Sequence, residues 1–393
     1  MFNKKMLEIG YSQSTIRDLY TYGLQRKAEI GEDKVFDFSI GNPSIPAPSI
    51  VNETLVKILT EEDSVKIHGY TVSAGEKNVR DSIASYLNKT YETKLDGRYI
   101  FLTCGAAASL AIVIKALITP YEEMIVFAPH FPEYRTYVEA MGGVLVPVLP
   151  DQDFLPDFID LEKKITHKTK IVLYNSPNNP TGAFYNEDII KKLVDILSKK
   201  EKEYDHPIYL VSDEPYRELL YKEEKYPFIT NYYDNSLVCY SFSKCLSLPG
   251  ERIGYIVVNP KCEDVNDIYA LICGAASMLG YICAPALFQH LIPYVLGYTS
   301  NLDEYKKNQE LLYRSLKEIG YEVVKPTGAF YLFVKALEED AEKFSETAKK
   351  FELLLVPSDP FDYKGYVRIA YCVSYQQIVN SLPAFKKLYN YYK

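Results

Sequence analysis

A lysine at the end of a hydrophobic segment is the residue best placed for covalent chemistry. Lys244 follows residues 236–241, Ser-Leu-Val-Cys-Tyr-Ser, which predict a buried strand. Burial disfavours the ammonium form, so a lysine there can lose its proton and form a Schiff base with a carbonyl. The side chains of Ser241, Ser243 and Arg252 suit a phosphate. Pyridoxal 5'-phosphate (PLP), an aldehyde that carries a phosphate, fits both features. The alternative is a surface lysine in a loop.

Asn179 lies in a rigid loop that follows another apolar segment. Residues 175–182 read Asn-Ser-Pro-Asn-Asn-Pro-Thr-Gly, and the prolines and the glycine restrict this backbone. Such a loop would hold the amide of Asn179 where it can donate a hydrogen bond. A plain turn is the alternative interpretation.

Asp213 stands at the exit of the next apolar segment, 208–212. A buried carboxylate needs a partner, because burying it unpaired is costly. A protonated pyridine nitrogen would serve, and the pair would keep the ring electron-withdrawing. Tyr216, three residues later, could reach the same ring. The alternative is a carboxylate that caps the next helix.

Small residues at Gly105, Ala106 and Ala107 join a strand to an apolar helix. They would let a phosphate approach the backbone amides at the helix N-terminus. Phe131 could stack on a flat ring or belong to the core.

Arg368 lies inside the strand-like segment 365–370. Arginine is rarely buried without a partner. It could hold a substrate carboxylate with two parallel hydrogen bonds, or it could form a structural salt bridge.

These residues must be positioned by alternating strands and helices between about 99 and 259. We predict strands at 99–103, 124–128, 143–148, 170–175, 207–212, 236–241 and 252–258. Helices are predicted between them at 106–118, 132–141 and 186–200. The alternation predicts an α/β fold, a three-layer αβα domain around a mainly parallel seven-stranded sheet. Ligands bind at the carboxyl ends of such strands.

The two ends of the chain predict a second, smaller α+β unit. Before the sheet we predict helices at 12–30, 49–60 and 75–89 and a strand at 35–40. After it we predict helices at 301–319, 338–350 and 375–390 and strands at 321–325, 328–334 and 365–370. We therefore expect a large PLP-binding domain at 46–290. Residues 1–45 and 291–393 would form a small domain that closes over the substrate site.

Composition narrows the class of protein. The net charge of −8 argues against a nucleic-acid partner, and no apolar run is long enough to predict a membrane span or a signal peptide. The seven cysteines are scattered and never form a Cys-x-x-Cys pair, which disfavours disulfides and a metal site. We expect a cytoplasmic protein.

Taken together, the motifs resemble those of the class I/II aminotransferases, which are fold-type I PLP enzymes. The resemblance runs from about residue 35 to the C-terminus. It rests on Asn-Pro-Thr-Gly at 179–182, on Asp213-x-x-Tyr216, and on Ser-x-Ser-Lys followed by Arg252-x-Gly-Tyr.

The resemblance implies a role for each residue around the cofactor. Lys244 would form the Schiff base and then shuttle a proton between the substrate α-carbon and C4′ of PLP. Asp213 would pair with the pyridinium nitrogen, and Asn179 and Tyr216 would hydrogen-bond the ring oxygen. Phe131 would stack on the ring. The phosphate would be bound by the segment that begins at Gly105 and by Ala106, Ala107, Ser241, Ser243 and Arg252.

The resemblance also implies how substrate and subunits are arranged. Arg368 would bind the substrate α-carboxylate, and the turn at Gly41 would close over the substrate beside Asn179. Tyr70 matches a tyrosine that reaches the phosphate in the other subunit, so a homodimer with shared active sites is expected.

Two positions depart from the family pattern near the expected substrate entrance. Ser358 and Asp362 stand where many relatives have glycine, after Pro357 and Phe361. No residue matches the arginine with which dicarboxylate-specific members bind a side-chain carboxylate. Substrate specificity is therefore not carried over from any subgroup.

We accordingly expect an aminotransferase that moves an amino group from an L-amino acid to a 2-oxo acid by a ping-pong mechanism. The alternative on the same fold is a carbon–sulfur β-lyase or a related elimination enzyme. A non-enzymatic effector-sensing domain is disfavoured by the acidic charge and by the missing N-terminal DNA-binding domain.

Overall fold

The computed structural model describes residues 2, 4–11 and 15–393. The α-helices of the described residues are α1 Lys4–Tyr11, α2 Thr15–Ile30, α3 Ser49–Glu61, α4 Ser64–His68, α5 Lys77–Tyr91, α6 Ala106–Leu117, α7 Glu133–Ala140, α8 Phe158–Lys164, α9 Glu187–Tyr204, α10 Val265–Met278, α11 Ala286–Val295, α12 Leu302–Ile319, α13 Ala341–Lys349 and α14 Tyr375–Tyr391. The strands are β1 Phe36–Asp37, β2 Ile100–Thr103, β3 Glu123–Phe127, β4 Val144–Val148, β5 Thr169–Asn175, β6 Tyr209–Asp213, β7 Ser236–Ser241, β8 Gly254–Val258, β9 Tyr331–Lys335, β10 Leu353–Leu354, β11 Val356–Pro357 and β12 Tyr366–Ala370.

The larger unit is built on a seven-stranded sheet in the order β2-β8-β7-β6-β5-β3-β4. Strand β8 runs antiparallel to both of its neighbours, and the other neighbouring pairs are parallel. The expected seven-stranded, mainly parallel sheet is therefore confirmed. Its central strands are buried along their whole length, as β6 and β7 show, because helices cover both faces.

Two hydrophobic cores lie on opposite faces of this sheet. One packs α3, α5, α9 and α11 against it, with Ile83 and Leu193 fully buried. The other packs α6, α7 and α10 against it, with Val113 and Ile272 fully buried. The apolar residues of these helices recur at helical spacing, so each helix turns one face to the sheet.

The smaller unit has its own sheet and core. Strands β11, β12 and β9 form an antiparallel sheet in that order, and β1 pairs in parallel with β10. Helices α12, α13 and α14 pack on these strands around a core that includes Leu312, Phe344 and Leu388. The β1–β10 pair ties the N-terminal segment to the C-terminal part of the chain.

Several element predictions differ from the structure. The strand predicted at 321–325 is wrong, since that segment contributes only an isolated bridge from Val323 to Val334. The strand predicted at 35–40 shortens to Phe36–Asp37, and α1, α4, α8, α10 and α11 were not predicted. The helix predicted at 12–30 begins at Thr15, and residues 12–14 lie outside the described residues. Across the described part of the chain, no helix has both the length and the apolar character that spanning a bilayer requires.

Candidate active site

A cavity of about 300 Å³ opens where the carboxyl ends of the central strands meet the smaller unit. Its walls are formed by Ile16, Arg17, Ile40, Gly41, Ala106, Ala107, Leu110, Phe131, Glu133, Asn175, Asn179, Asp213, Pro215, Tyr216, Ser241, Ser243, Lys244, Pro249, Arg252, Tyr331 and Arg368. Twelve of these lining residues were predicted from the sequence. Gly105 directly precedes the lining residue Ala106. Tyr70 does not line the cavity, and this residue is 94% exposed in the single chain.

Asn175 fixes the loop that carries Asn179. It ends β5 directly beside Asp213 of β6, because the two residues are paired in the parallel register. Its Nδ2 donates to the backbone oxygen of Asp213 at 2.9 Å, and its Oδ1 accepts from the backbone N–H of Asn179 at 2.7 Å. Asn175 was not among the predicted site residues, although its position at the end of a predicted strand could have indicated it.

The carboxylate of Asp213 is buried with one oxygen satisfied and one without a partner. Oδ2 accepts a hydrogen bond of 2.5 Å from the hydroxyl of Tyr134, while no described residue bonds to Oδ1. Burial raises the pKa of Asp213 to about 7, although the hydrogen bond from Tyr134 acts in the opposite direction. The carboxylate does not cap a helix, because a turn follows β6. Tyr134 was not predicted as a site residue.

Lys244 lies in the wall of the cavity and not in a surface loop. It lies in the turn that follows β7, and its Nζ donates to the backbone oxygen of Gly41 at 2.6 Å. Burial lowers the pKa of Lys244 to about 8. A substantial neutral fraction near physiological pH makes this amine available as a nucleophile and as a base.

Ser241, Ser243 and Arg252 meet the start of α6 at one end of the cavity. The two serine hydroxyls are hydrogen-bonded to each other, and Arg252 Nη1 donates to the backbone oxygen of Pro249 at 2.9 Å. Gly105 has φ +86°, and a Cβ there would lie 2.9 Å from Arg252 Nη2. Glycine thus lets the guanidinium approach the helix N-terminus, which makes this end of the cavity suitable for an anion.

Arg368 crosses from β12 towards the loop of Asn179. Its Nη1 donates to Oδ1 of Asn179 at 3.0 Å and its Nη2 donates to the backbone oxygen of Ser39 at 2.5 Å. The guanidinium also lies 4.8 Å from the centre of the Tyr331 ring. Among the described residues it forms no ion pair with a carboxylate, so the salt-bridge interpretation is not what the structure shows.

Tyr216 and Tyr331 connect the two units above the cavity. Their hydroxyls lie 2.9 Å apart, and a Cβ added at Gly41 would collide with the Tyr331 hydroxyl. Only glycine fits at position 41, which explains why this turn can approach Lys244. Tyr331 was predicted only as part of a small-domain strand, and its hydroxyl was not expected in the site.

Asp362 joins the loop after β11 to the larger unit. Its Oδ2 lies 2.9 Å from Nε2 of His130 and also accepts from Arg135. Asp362 adopts φ +57°, the left-handed conformation in which glycine is more usual. Burial opposes ionisation, but the bonds from His130 and Arg135 prevail and lower the pKa of Asp362. This departure from the family pattern therefore makes a contact between the units.

The family-model comparison decides the assignment. The model described as "Aminotransferase class I and II" matches residues 33–383. The chain belongs to this family. It is an aminotransferase, and the enzymes of the family use PLP.

Individual relatives agree with the assignment. The crystal structure of an amino transferase from Eubacterium rectale is 50% identical, with a TM-score of 0.97 over 100% of this chain and 99% of that one. The aspartate aminotransferase of Pyrococcus horikoshii is 28% identical over 385 residues, 95% of this chain and 94% of the relative. The solved aspartate aminotransferase of Thermotoga maritima is 27% identical, with a TM-score of 0.87 over 99% and 100% of the two chains.

Proposed function

We propose that this aminotransferase binds PLP in the cavity and transfers an amino group from an L-amino acid to a 2-oxo acid by a ping-pong mechanism. The observation that carries the proposal is the free Oδ1 of Asp213. It is buried without a partner among the described residues, while Tyr134 occupies Oδ2. A cationic N–H, such as that of a protonated pyridine ring, would satisfy this oxygen and would stabilise the charged carboxylate.

The opposite end of the cavity supports a phosphate site. Hydroxyls from Ser241 and Ser243, the guanidinium of Arg252 and the N-terminus of α6 at Ala106 and Ala107 all line it. These groups donate hydrogen bonds or carry positive charge, as a phosphate requires. Phe131 also lines the cavity and offers an aromatic face against which a ring can stack.

Lys244 lines the same cavity, where its amine can attack a carbonyl group. Bound PLP would supply that carbonyl and an electron-withdrawing ring. The lowered pKa of Lys244 lets its amine accept a proton from the substrate α-carbon and return it. Asn179 and Tyr216 would direct their polar groups to the ring oxygen, and the catalytic set is therefore Lys244, Asp213 and Tyr216.

Substrate binding would use the smaller unit. Arg368 would hold the α-carboxylate, since its Nε has no partner among the described residues and its Nη2 contacts only backbone. Gly41 would close over the substrate from the same side. We assign residues 46–290 to the PLP-binding domain and residues 1–45 and 291–393 to the closing domain, in a protein of the cytoplasm.

We further propose a homodimer in which Tyr70 of each subunit completes the phosphate site of the other. The exposure of Tyr70 in the single chain supports this, because an exposed tyrosine ring is available to a partner. Lys244→Ala and Tyr70→Ala subunits should each be impaired alone. When the two variants are mixed in equal amounts and refolded together, half of the dimers should contain one subunit of each kind, with one intact site of two. The mixture should therefore regain about one quarter of the wild-type activity. No recovery in verified mixed dimers would contradict shared sites.

The reaction is tested by a half-reaction on the PLP-loaded enzyme. A panel of L-amino acids should convert bound PLP to its amine form, seen as a change in its absorbance, and release the matching 2-oxo acid. Lys244→Ala should abolish the conversion, while Lys89→Ala on the surface helix α5 should not. Release of pyruvate and ammonia without the amine form would instead identify a β-lyase.

A further inference from the structure

The lining of the cavity contains a carboxylate that the proposed reaction does not use. Glu133, the first residue of α7, lines the cavity two residues after Phe131. Its Oε2 is inaccessible to solvent and has no hydrogen-bond partner among the described residues. A buried acceptor of this kind is costly unless a ligand satisfies it.

The charges around Glu133 narrow the chemistry of that ligand. Burial raises the pKa of Glu133, and the positive charges of Arg17 and Arg368 act against that rise. The other charged residues of the lining already have proposed roles. Asp213 and Arg252 would bind the cofactor, Lys244 would act at the reacting carbon, and Arg368 would bind the α-carboxylate. Glu133 is therefore the carboxylate of the lining that has no assigned role, and the charge of Arg17, which also lines the cavity, acts on it. The two residues come from different units, since Arg17 lies on α2 and Glu133 on α7.

Glu133 is acidic and the arginines that act on it are positive, so neither an acidic nor a basic side chain suits this part of the lining. A side-chain carboxylate would be repelled by the carboxylate of Glu133, and an ammonium group would be repelled by the positive charges of Arg17 and Arg368. A neutral amide avoids both conflicts: its NH₂ can donate to Oε2 of Glu133 and its carbonyl dipole suits a cation.

We propose that Glu133 is the specificity-determining residue of this site and selects amino donors whose side chain ends in an amide over those that end in a carboxylate. The inference rests on the proposed function, because it places the substrate by Lys244 and Arg368. It separates this chain from the relatives named aspartate aminotransferases, whose name gives an acidic substrate.

The test compares isosteric substrates on the PLP-loaded enzyme. The second-order rate constant for conversion of bound PLP to its amine form is measured with asparagine and aspartate, with glutamine and glutamate, and with alanine as a reference. For at least one pair the amide should react about tenfold or more faster than the acid, because a hydrogen bond to a buried charged group is replaced by like-charge repulsion. Glu133→Gln should reduce that ratio about tenfold or more, with alanine changed less than about threefold.

Glu187→Gln is the matched control, because Glu187 is also the first residue of a helix, α9, and lies outside the cavity. It should leave the ratio unchanged. The inference is overturned if the wild type prefers both acids, if ornithine reacts more than about tenfold faster than either amide, or if Glu133→Gln leaves the ratio unaltered. Failure of every amino acid, alanine included, would instead overturn the proposed function itself.

Discussion

The hydroxyl of Tyr134 lies 2.5 Å from Oδ2 of Asp213, across 79 positions of sequence. Tyr134 is buried on α7, and Asp213 ends β6. The contact holds one carboxylate oxygen in place, while the other has no partner among the described residues. The hydrogen bond also lowers the pKa of Asp213, which burial without this bond would raise above about 7. Tyr134 is therefore a positioning residue for the proposed partner of the cofactor ring.

Replacement of Tyr134 by Phe should raise the pKa of Asp213 above its present value of about 7. A net hydrogen bond of about 1–1.5 kcal/mol corresponds to roughly one pH unit. The acidic limb of the half-reaction rate should shift upwards by about that amount, because the ionised carboxylate is the form that pairs with a cationic ring. Tyr185→Phe, which also changes a buried tyrosine but outside the cavity lining, serves as control. Equal pH profiles for the wild type and Tyr134→Phe would refute the positioning role.

The amine of Lys244 should titrate near pH 8 in the cofactor-free enzyme, because burial disfavours its ammonium form. Its rate of acylation, followed by peptide mass spectrometry, should rise with pH to a midpoint near 8. In the urea-unfolded chain the midpoint should return towards the ordinary value of 10.5. A midpoint near that ordinary value in the folded enzyme would show that the amine is not desolvated.

Arg368→Gln should weaken the recognition of the α-carboxylate. Losing a charged, bidentate partner is expected to lower kcat/KM for amino acids about 100-fold or more. A primary amine that lacks the carboxylate should react at a similar low rate with both enzymes. The informative measurement is therefore the ratio of kcat/KM for the amino acid to kcat/KM for the amine. Arg368→Lys should restore only part of the loss, since ammonium cannot form the paired hydrogen bonds. A parallel loss for the amine would indicate a structural role instead.

The contact of Asp362 with His130 and Arg135 should contribute to stability in a pH-dependent manner. Asp362→Asn keeps the shape and tolerates the positive φ, so it isolates the charge. We expect the free energy of unfolding at pH 7 to fall by about 1 kcal/mol. The folded pKa of Asp362 lies below its ordinary value of 3.8. The contribution is therefore complete above about pH 4 and is lost as the pH falls through the lower folded value.

Urea unfolding of wild type and Asp362→Asn between pH 7 and pH 3 measures this difference. The two curves should converge at the acidic end. Asp153→Asn, at an exposed position in the loop after β4, should not differ from wild type at any pH. A difference between wild type and Asp362→Asn that stays constant down to pH 3 would show that the charge does not matter.

Local motifs in the chain are enough to identify the family and to predict most of the cavity lining. Strand ends can be located from apolar runs, and in a parallel sheet those ends must meet at one edge. That is why Asn179, Asp213 and Lys244 could be assigned to one site from their places in the sequence. The prolines and glycines around them reinforced the assignment, because they restrict the local backbone.

The side chains that complete the site from other elements depend on tertiary packing. Tyr134 and Glu133 lie on a short helix whose pattern is that of a half-buried surface helix, and nothing local shows that one bonds Asp213 and the other lines the cavity. Asp362 likewise gains its role only where the loop meets His130. Such contacts depend on how separate units pack, and packing over long sequence distances leaves no periodic signal in the chain. The cofactor chemistry of the family could therefore be predicted from local motifs, whereas the contacts of Tyr134, Glu133 and Asp362 could be recognised only in the folded molecule.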